Sequence, residues 1–292
     1  MREIRCVWPD AAELGEGPIW SPPHKALWFV DIKGQQVLRF DPDTGARKGW
    51  PSPSQISFIL PASNNGFIVG LPGQLAYFMP EPGAFTPIVS FESEWPWNRP
   101  NDACIDAAGR LWFGTMDDHE TDPNGALYCW PGTGAPIAQD RGFIISNGPA
   151  HSPDGRFMYH TDTIRRTIYR FDTTANGSIT NKQVFIKIEE SAGFPDGTTI
   201  DSEGCLWVAL WNGWSVRRYS PTGKLLETVT LPCANITKIA FGGDRLTTAY
   251  ITTARVGLSP AELAKQNLAG SVLTFETDVP GLPTKTILVA PG

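Results

Sequence analysis

A short apolar run recurs six times along the chain at a nearly constant interval. The runs begin at residues 27, 67, 111, 157, 206 and 249 and read LWF, FIV, LWF, FMY, LWV and AYI. Successive starts are 40, 44, 46, 49 and 43 residues apart. A second β-type segment follows each run and often ends in an aromatic residue and a turn, as in VLRFDPDTG and TIYRFDTTANG. Units of this length and content are typical of the blades of a β-propeller.

Composition and local patterns favour the same architecture. The 29 glycines and 26 prolines suit many short strands joined by tight turns. Helical periodicity is nearly confined to LSPAELAKQ, where Ser259 can cap the helix, Pro260 takes its first position and Glu262 completes a capping box. The alternatives are a β-sandwich with accidental regularity and a parallel α/β sheet, and the latter lacks room for helical crossovers. We expect residues 1–292 to form a single all-β domain, a closed six-bladed β-propeller.

Charge and cysteine content limit the possible partners and the compartment. The net charge is −6 and there is no run of Lys or Arg, which argues against nucleic acid or an anionic membrane as a partner. The start of the chain, MREIRCVWPD, does not resemble a signal peptide, and no apolar stretch approaches the length of a membrane span. The five cysteines are odd in number and form no CxxC pair, as expected of reduced thiols. We therefore expect a monomeric, cytoplasmic protein with a small-molecule partner.

Superposing the six units brings polar residues into one register. The residue ten or eleven positions before each apolar run is, in order, Glu16, Ile56, Asn101, Asn147 and Asp196, with Ile236 as the nearest counterpart in the sixth unit. In a propeller the first strand of each blade lines the central channel, so these residues should converge near its axis. Two carboxylates in a partly desolvated channel repel each other and lose hydration, and a divalent cation would remove both penalties.

The candidate metal ligands are Glu16, Asn147 and Asp196, which would leave coordination positions open for water and substrate, as at a catalytic site. Oxygen ligands without Cys or His in the register suit Fe²⁺, Mn²⁺, Mg²⁺ or Ca²⁺, whereas Zn²⁺ is possible but less natural. We favour Fe²⁺ or Mn²⁺, because these ions accept a six-coordinate shell of carboxylate, amide and water oxygens. The alternative for the SNG and PDG motifs is that Asn147 and Asp196 merely form turns, but their shared register with Glu16 favours a metal site in the central channel.

Several motifs resemble those of the senescence marker protein/regucalcin/gluconolactonase family. They are LGEGPIW, RPND, GTM, SNGPAHSPDG, FPDGTTID, LWVALWNGWSVRRYSPTGK and ARVGLSPAELAKQNLAGSV, in this order. The resemblance implies a six-bladed propeller that holds one divalent metal ion and hydrolyses sugar lactones. It places the metal ligands on Glu16, Asn147 and Asp196, and family substrate residues on Arg99 and Asn101.

Two departures from the family pattern involve histidines. His119 stands where the family often has an acid three residues after GTM, beside Asp117, Asp118 and Glu120. We expect Asp118 and His119 to contact the substrate, although His119 could equally lie in a solvated loop. His151 replaces an apolar aromatic residue of the family, and we expect it to be a core histidine with satisfied hydrogen bonds.

The expected activity is hydrolysis of an aldonolactone, with Asp196 as the general base and no covalent intermediate, since no GxSxG motif occurs. Resemblance to bacterial sugar lactonases favours a pentonolactone such as xylonolactone over gluconolactone. A calcium-binding regulator that uses the same ligands without turnover is the alternative. A propeller scaffold for protein interactions is a further alternative, but the sequence lacks the repeated Gly-His and Trp-Asp signature of such scaffolds.

Overall fold

The computed structural model describes residues 2–174 and 176–289, which form six four-stranded antiparallel sheets. In chain order the strands are β1 (Arg5–Trp8), β2 (Gly15–Ser21), β3 (Ala26–Asp31), β4 (Gln36–Phe40), β5 (Arg47–Pro51), β6 (Ile59–Pro61), β7 (Phe67–Leu71), β8 (Gln74–Met79), β9 (Ala84–Ser90), β10 (Asn98–Ile105), β11 (Leu111–Asp117), β12 (Gly125–Trp130), β13 (Ile137–Phe143), β14 (Ser146–His151), β15 (Phe157–Asp162), β16 (Thr167–Thr173), β17 (Ile179–Lys187), β18 (Phe194–Ile200), β19 (Leu206–Trp211), β20 (Ser215–Tyr219), β21 (Leu225–Thr230), β22 (Ile236–Gly242), β23 (Thr248–Thr253) and β24 (Val272–Glu276). The innermost strands β2, β6, β10, β14, β18 and β22 contact one another in sequence, and β22 contacts β2. The predicted six-bladed propeller is thus confirmed.

The sixth blade is completed by the first strand of the chain, which the sequence analysis missed. Its sheet has the order β1-β24-β23-β22, with Arg5 opposite Thr274 and Cys6 opposite Leu273. The ring is therefore closed by hydrogen bonds between an early and a late segment of the chain within one sheet.

The innermost strands carry bulges at the predicted channel register. One extra residue interrupts the pairing of β2 between Glu16 and Ile19, and the same irregularity occurs in β10, β14, β18 and β22. A bulge of this kind bends the strand and redirects its side chains. The exception is the second blade, where Ile56 lies three residues before the short strand β6 rather than within it.

The SNG and PDG motifs lie within strands β14 and β18, so the interpretation of these motifs as ordinary turns is wrong. Their glycines are required by close packing against the next blade. A Cβ atom on Gly148 would lie 2.6 Å from Thr198 Oγ1, and one on Gly197 would lie 2.6 Å from Lys238 Cγ. Gly148 also has a φ of +47°, which disfavours larger residues.

Buried tryptophans repeat at the same position of the second strand in several blades. Trp112 and Trp207 each donate from Nε1 to an aspartate six residues earlier, Asp106 or Asp201, at 3.0 Å. Each aspartate also accepts hydrogen bonds from backbone N–H groups of the intervening turn. The sequence repeat therefore reflects a repeated turn in which one carboxylate satisfies both the turn and the buried indole.

Three short helices interrupt the strands. The helix α1 (Pro260–Leu263) has the predicted capping box between Ser259 and Glu262, and two 3₁₀ helices span Pro22–His24 and Glu190–Ala192. None of the described helices is long and apolar enough to cross a membrane. All five cysteines have free thiols.

The segment 280–289, which we call the back strap, crosses one face of the propeller. It bonds to five blades: Gly281 N to Leu246 O, Ser202 N to Pro280 O, Thr284 Oγ1 to Trp20 O, Ile287 N to Pro61 O and Leu288 N to Gly109 O, at 2.7 to 3.0 Å. Residues 282–285 of the strap also line a cavity of about 230 Å³ at this end of the channel.

Burial lowers the pKa of the partly exposed His151 and of the buried His160. His151 packs against Trp112 as a core residue, but its Nε2 has no hydrogen-bond partner among the described residues, so the prediction of a satisfied histidine is wrong. The reason is its position at the end of β14, where most of its neighbours around the 230 Å³ cavity beside the back strap are apolar. Burial lowers the pKa of His151 to about 4 and that of the fully buried His160 to about 3.

We expect the protein to lose stability in acid because of these histidines. Unfolding returns His160 to a pKa near 6.5, so the unfolded chain binds the extra proton below that pH and the folded chain does not. Between pH 7 and pH 5 the free energy of unfolding should fall by about 2 kcal/mol for this residue. Denaturant unfolding of the wild type and of His160→Gln should show a shallower pH slope in the variant, whereas His119→Gln, whose side chain is 58% exposed, should keep the wild-type slope. Equal slopes for all three proteins would contradict the assignment.

Candidate functional site

A cavity of about 390 Å³ opens at the end of the channel opposite the back strap. All four polar residues of the predicted register line it: Glu16, Asn101, Asn147 and Asp196. They come from β2, β10, β14 and β18, which belong to four different blades. The ring of innermost strands therefore brings together side chains that lie up to 180 residues apart in the sequence.

Glu16 and Asp196 are carboxylates buried without a cationic partner. Their residues are 5% and 6% exposed, and neither forms a salt bridge within the described residues. Glu16 accepts a hydrogen bond at 2.8 Å from the backbone N–H of Gly17. Burial and the charge of Asp102 raise the pKa of Glu16 to about 8, and burial together with the charge of Glu16 raises the pKa of Asp196 well above its usual value. This is the charge arrangement that a bound cation would relieve.

A chain of hydrogen bonds connects the amides in the cavity wall. Asn101 Nδ2 donates to Asn147 Oδ1 at 2.9 Å and to Ser146 O at 3.0 Å. Asn147 Nδ2 donates to Thr163 Oγ1 at 3.1 Å, and that hydroxyl donates to Pro195 O at 2.8 Å. The amide orientation of Asn147 is thereby fixed, because its nitrogen faces Thr163 and its oxygen is an acceptor on the Asn101 side.

Arg99 joins this chain to an ion pair at the rim. Its Nη1 donates to Asn101 Oδ1 at 2.7 Å, and its Nε donates to Asp118 Oδ1 at 2.6 Å. Asp118 also accepts hydrogen bonds from Lys33 Nζ at 2.8 Å and from Gln55 Nε2 at 2.9 Å. Burial raises the pKa of Asp118, but the hydrogen bonds from Gln55 and Lys33 and the charge of Arg99 outweigh it. The pKa of Asp118 therefore lies below its usual value. Asp118 is therefore an ionised anchor for two cations.

His119 does not line the cavity. Its side chain is 58% exposed and lies against Trp97, with 5.0 Å between the ring centroids. Trp97 is itself 67% exposed, and its carbonyl accepts a hydrogen bond from the N–H of Asp118. The structure thus places His119 outside the rim, next to the residue that anchors Arg99.

The donor set fits a hard divalent cation. Glu16 and Asp196 offer carboxylate oxygens and Asn147 offers an oriented amide oxygen, which are ligand types preferred by Ca²⁺, Mg²⁺, Mn²⁺ and Fe²⁺. No group of three or more His, Cys, Asp or Glu side chains able to hold a metal occurs in the part of the chain that the structure describes. A metal here would accordingly depend on the amide as its third protein ligand.

Sequence reasoning missed five polar residues around the site. Lys33 and Gln55 hold Asp118, Thr163 orients Asn147, and Asp102 and Lys238 form a buried ion pair beneath the cavity. Asp102 follows Asn101 directly and Lys238 lies two residues after Ile236, so the register offered a signal for this pair. The other three lie on loops whose position no repeat specifies.

Apart from Lys33, Glu120 and Thr163, the remaining wall of the cavity is apolar, and sequence reasoning did not identify this apolar part. It consists of Leu14, Met116, Ile145, Ile164, Phe194, Trp211 and Val256. Polar and apolar residues adjoin one another in this cavity, since Met116 pairs with Arg99 across β11 and β10 and Ile145 lies two residues before Asn147. A ligand that fits it would combine convergent polar groups with an apolar face, as small-molecule sites commonly require.

Comparison with known proteins places this geometry in a family. Residues 14–255 match the sequence profile described as the SMP-30/Gluconolactonase/LRE-like region. The chain is 36% identical over 277 residues to an L-arabinolactonase of Azospirillum brasilense, covering 93% of this chain and 91% of that protein. It is 34% identical over 289 residues to a regucalcin of Danio rerio, covering 98% and 96%. The crystal structure of a calcium-binding protein, regucalcin, from Agrobacterium tumefaciens strain C58 superposes with a TM-score of 0.94 at 25% identity, covering 98% and 97%.

We expect removal of one buried carboxylate to stabilise the chelated protein. Glu16→Gln keeps the shape of the side chain and removes its repulsion with Asp196, so at pH 8 in EDTA the free energy of unfolding should rise by about 1 kcal/mol or more. The same variant should gain less thermal stability than the wild type when Mn²⁺ is added. Thermal unfolding with and without the ion measures both effects.

Glu13→Gln is the matched control, because Glu13 lies three residues earlier and its side chain is 59% exposed. It should behave as the wild type in both conditions. A Glu16→Gln protein that is less stable in EDTA than the wild type would contradict the prediction.

Proposed function

The chain belongs to the SMP-30/gluconolactonase/LRE-like family, and from this premise we propose that it hydrolyses a sugar lactone in the channel cavity with the help of one divalent ion. The observation that carries the proposal is the pair of buried, unpaired carboxylates, Glu16 and Asp196, beside the amide oxygen of Asn147. Lactonase relatives that match nearly the whole chain support the reaction class.

Glu16, Asn147 and Asp196 would hold the ion. When bound, it would act as a Lewis acid that polarises the lactone carbonyl or lowers the pKa of a water molecule. We favour Fe²⁺ or Mn²⁺ over Ca²⁺ and Zn²⁺, because two carboxylates and one amide suit ions that complete an octahedral shell with water.

Asp196 is the residue that we assign to proton transfer. Its carboxylate accepts a proton from the attacking water as the water oxygen bonds to the carbonyl carbon, and it returns that proton to the ring oxygen as the carbon–oxygen bond of the lactone breaks. The products are one carboxylic acid and one hydroxyl group, and Asp196 ends in its starting state.

Arg99 and Asn101 are assigned to the sugar hydroxyls. Within the described residues Arg99 Nη2 forms no hydrogen bond, which leaves this donor for the substrate. Asn101 uses both amide hydrogens on Ser146 and Asn147, so only its Oδ1 has capacity left, as an acceptor from a substrate hydroxyl. Asp118 would orient Arg99 and Lys33, and His119 would reach only a substituent that projects from the mouth.

The substrate class that we favour is an aldono-1,4- or 1,5-lactone of a pentose, such as xylonolactone, with gluconolactone next. The relative named L-arabinolactonase supports a pentose-derived lactone. The apolar lining residues Ile164, Phe194 and Trp211 would contact the C–H face of the ring.

A calcium-binding role without turnover is the alternative, and the names of the regucalcin relatives favour it. Such a protein would use Glu16, Asn147 and Asp196 but would have no need for a free Arg99 donor in the adjacent wall. Measured lactone turnover above the spontaneous rate separates the two functions.

We expect Asp196→Asn to abolish lactone hydrolysis. The substitution preserves the shape of the side chain while removing the proton acceptor and one anionic ligand, so kcat should fall by about a thousandfold or more. Proton release from xylonolactone and gluconolactone, followed at one pH against an enzyme-free blank, measures the rate. Asp201→Asn is not a suitable control because that residue supports a turn, whereas Asp172→Asn, on the outer strands, should retain activity.

The same assay tests the ion. Exhaustive chelation should reduce the wild-type rate to the blank, and Mn²⁺ or Fe²⁺ should restore it at least as well as Ca²⁺. Activity that persists in the fully chelated protein would leave the ion without a catalytic role.

We expect Arg99→Met to raise KM more than it lowers kcat, because the lost donor serves substrate binding. Metal content, measured by elemental analysis, should stay near one ion per chain. Arg165→Met, which removes an exposed arginine paired with Asp162 at 2.7 Å, is the control and should leave KM unchanged. Loss of the ion from Arg99→Met would instead place Arg99 among the supports of the metal site.

A further inference from the structure

A buried ion pair crosses the channel directly beneath the cavity. Lys238 Nζ donates to Asp102 Oδ1 and, at 3.3 Å, to Ala103 O. Asp102 lies on β10 in the third blade and Lys238 on β22 in the sixth, so the pair links opposite sides of the six-bladed ring. Both side chains are less than 10% exposed. Nothing in the proposed reaction uses either residue.

The pair touches the backbone beside two of the proposed metal ligands. Asp102 Oδ2 accepts a hydrogen bond at 2.9 Å from the N–H of Gly148, which follows Asn147. The aliphatic part of Lys238 packs on Gly197, which follows Asp196, so closely that a Cβ atom there would lie 2.6 Å from Lys238 Cγ. Any shift of the pair therefore moves the strands that carry Asn147 and Asp196.

The pair lies outside the wall of the upper cavity. Lys238 lines the lower cavity of about 230 Å³, whereas Glu16, Asn147 and Asp196 line the upper one of about 390 Å³. Asp102 lines neither cavity, so the pair would act on a bound ion from behind the ligand residues.

The two charges act on the buried carboxylates in opposite directions. The charge of Asp102 raises the pKa of both Glu16 and Asp196, and the charge of Lys238 lowers both. Since Asp102 bonds to the N–H that follows Asn147 and Lys238 packs on the glycine that follows Asp196, both charges lie beside the proposed ligands of the ion. A buried ion pair contributes little net stability relative to apolar residues, so stability alone does not account for it.

We propose that Asp102 and Lys238 are positioning residues that set the affinity of the cavity for a divalent cation, Asp102 by attracting it and Lys238 by opposing that attraction. The inference rests on the proposed metal site and adds to it two residues that do not ligate the ion. At the short distances of a buried site, one unit charge changes the binding free energy of a divalent ion substantially. With both charges present, their effects on the ion largely cancel, so the affinity should change most when one charge is removed and the other remains.

The test compares Mn²⁺ affinity in single and double variants, measured by isothermal titration of the chelated full-length protein. Asp102→Asn leaves the ammonium of Lys238 unopposed and should weaken Mn²⁺ binding by about tenfold or more. Lys238→Met leaves Asp102 unopposed and should strengthen binding or leave it unchanged. The double variant, which lacks both charges, should bind within about threefold of the wild type.

Variants that retain the charge show whether a change in Mn²⁺ affinity comes from the lost charge or from disturbed folding. Lys238→Arg and Asp102→Glu retain the charges and should retain the affinity within about threefold, while unfolding in EDTA reports the integrity of each protein. A purely structural pair would weaken binding in both single variants and most in the double variant. That result, or equal affinities throughout, would overturn the inference.

The outcome is independent of turnover. A wild type that binds Mn²⁺ but does not hydrolyse lactones would refute the proposed function and leave the inference intact. If the wild type hydrolyses lactones and neither single substitution changes its Mn²⁺ affinity, the proposed function would stand and the inference would be refuted. A wild type that binds no divalent ion would refute both.

Discussion

The repulsion between Glu16 and Asp196 is the constraint around which the channel is organised. Both carboxylates are buried without a cationic partner in the described residues, and burial raises the pKa of each. Isolated strands could not hold two such groups together, because the chain would move apart or admit water. Closure of six sheets into a ring removes that freedom, since moving one innermost strand outward would require its neighbours to move as well. The fold therefore maintains a binding site at a cost in stability, as functional sites commonly do.

The polar side of the cavity behaves as one unit rather than as separate contacts. Asp118 anchors Arg99, Arg99 bonds to Asn101, and Asn101 bonds to Asn147, whose amide is fixed by Thr163. A residue assigned to the substrate is thus one hydrogen bond away from a residue assigned to the metal. Substitutions along this chain should couple, and their effects on binding and on turnover will not be additive.

Much of the architecture could be predicted because the sequence repeats what each blade needs. The apolar runs mark the second strands, and counting back from them reached Glu16, Asn101, Asn147 and Asp196, which line one cavity. The bulges could not be predicted, because an extra residue in one strand leaves no compositional trace. Pairing of β1 with β24 was missed because β1 precedes the first repeat unit, and the bond from Lys238 to Asp102 was missed because neither residue stands at the channel register itself. His151 was misjudged because its hydrogen bonding depends on neighbours from other blades.

The back strap gives the molecule a second closure that differs from the one in the sixth blade. Pairing of β1 with β24 joins the ring at one seam, whereas the strap bonds to the first, second, third, fifth and sixth blades across the face opposite the upper cavity. Tilting any of these blades outward, which would widen the mouth of the cavity, pivots its opposite end against the strap and strains hydrogen bonds there. The stiffness of the binding site is consequently controlled from the far end of the channel, about one strand length away, by residues that a ligand never touches.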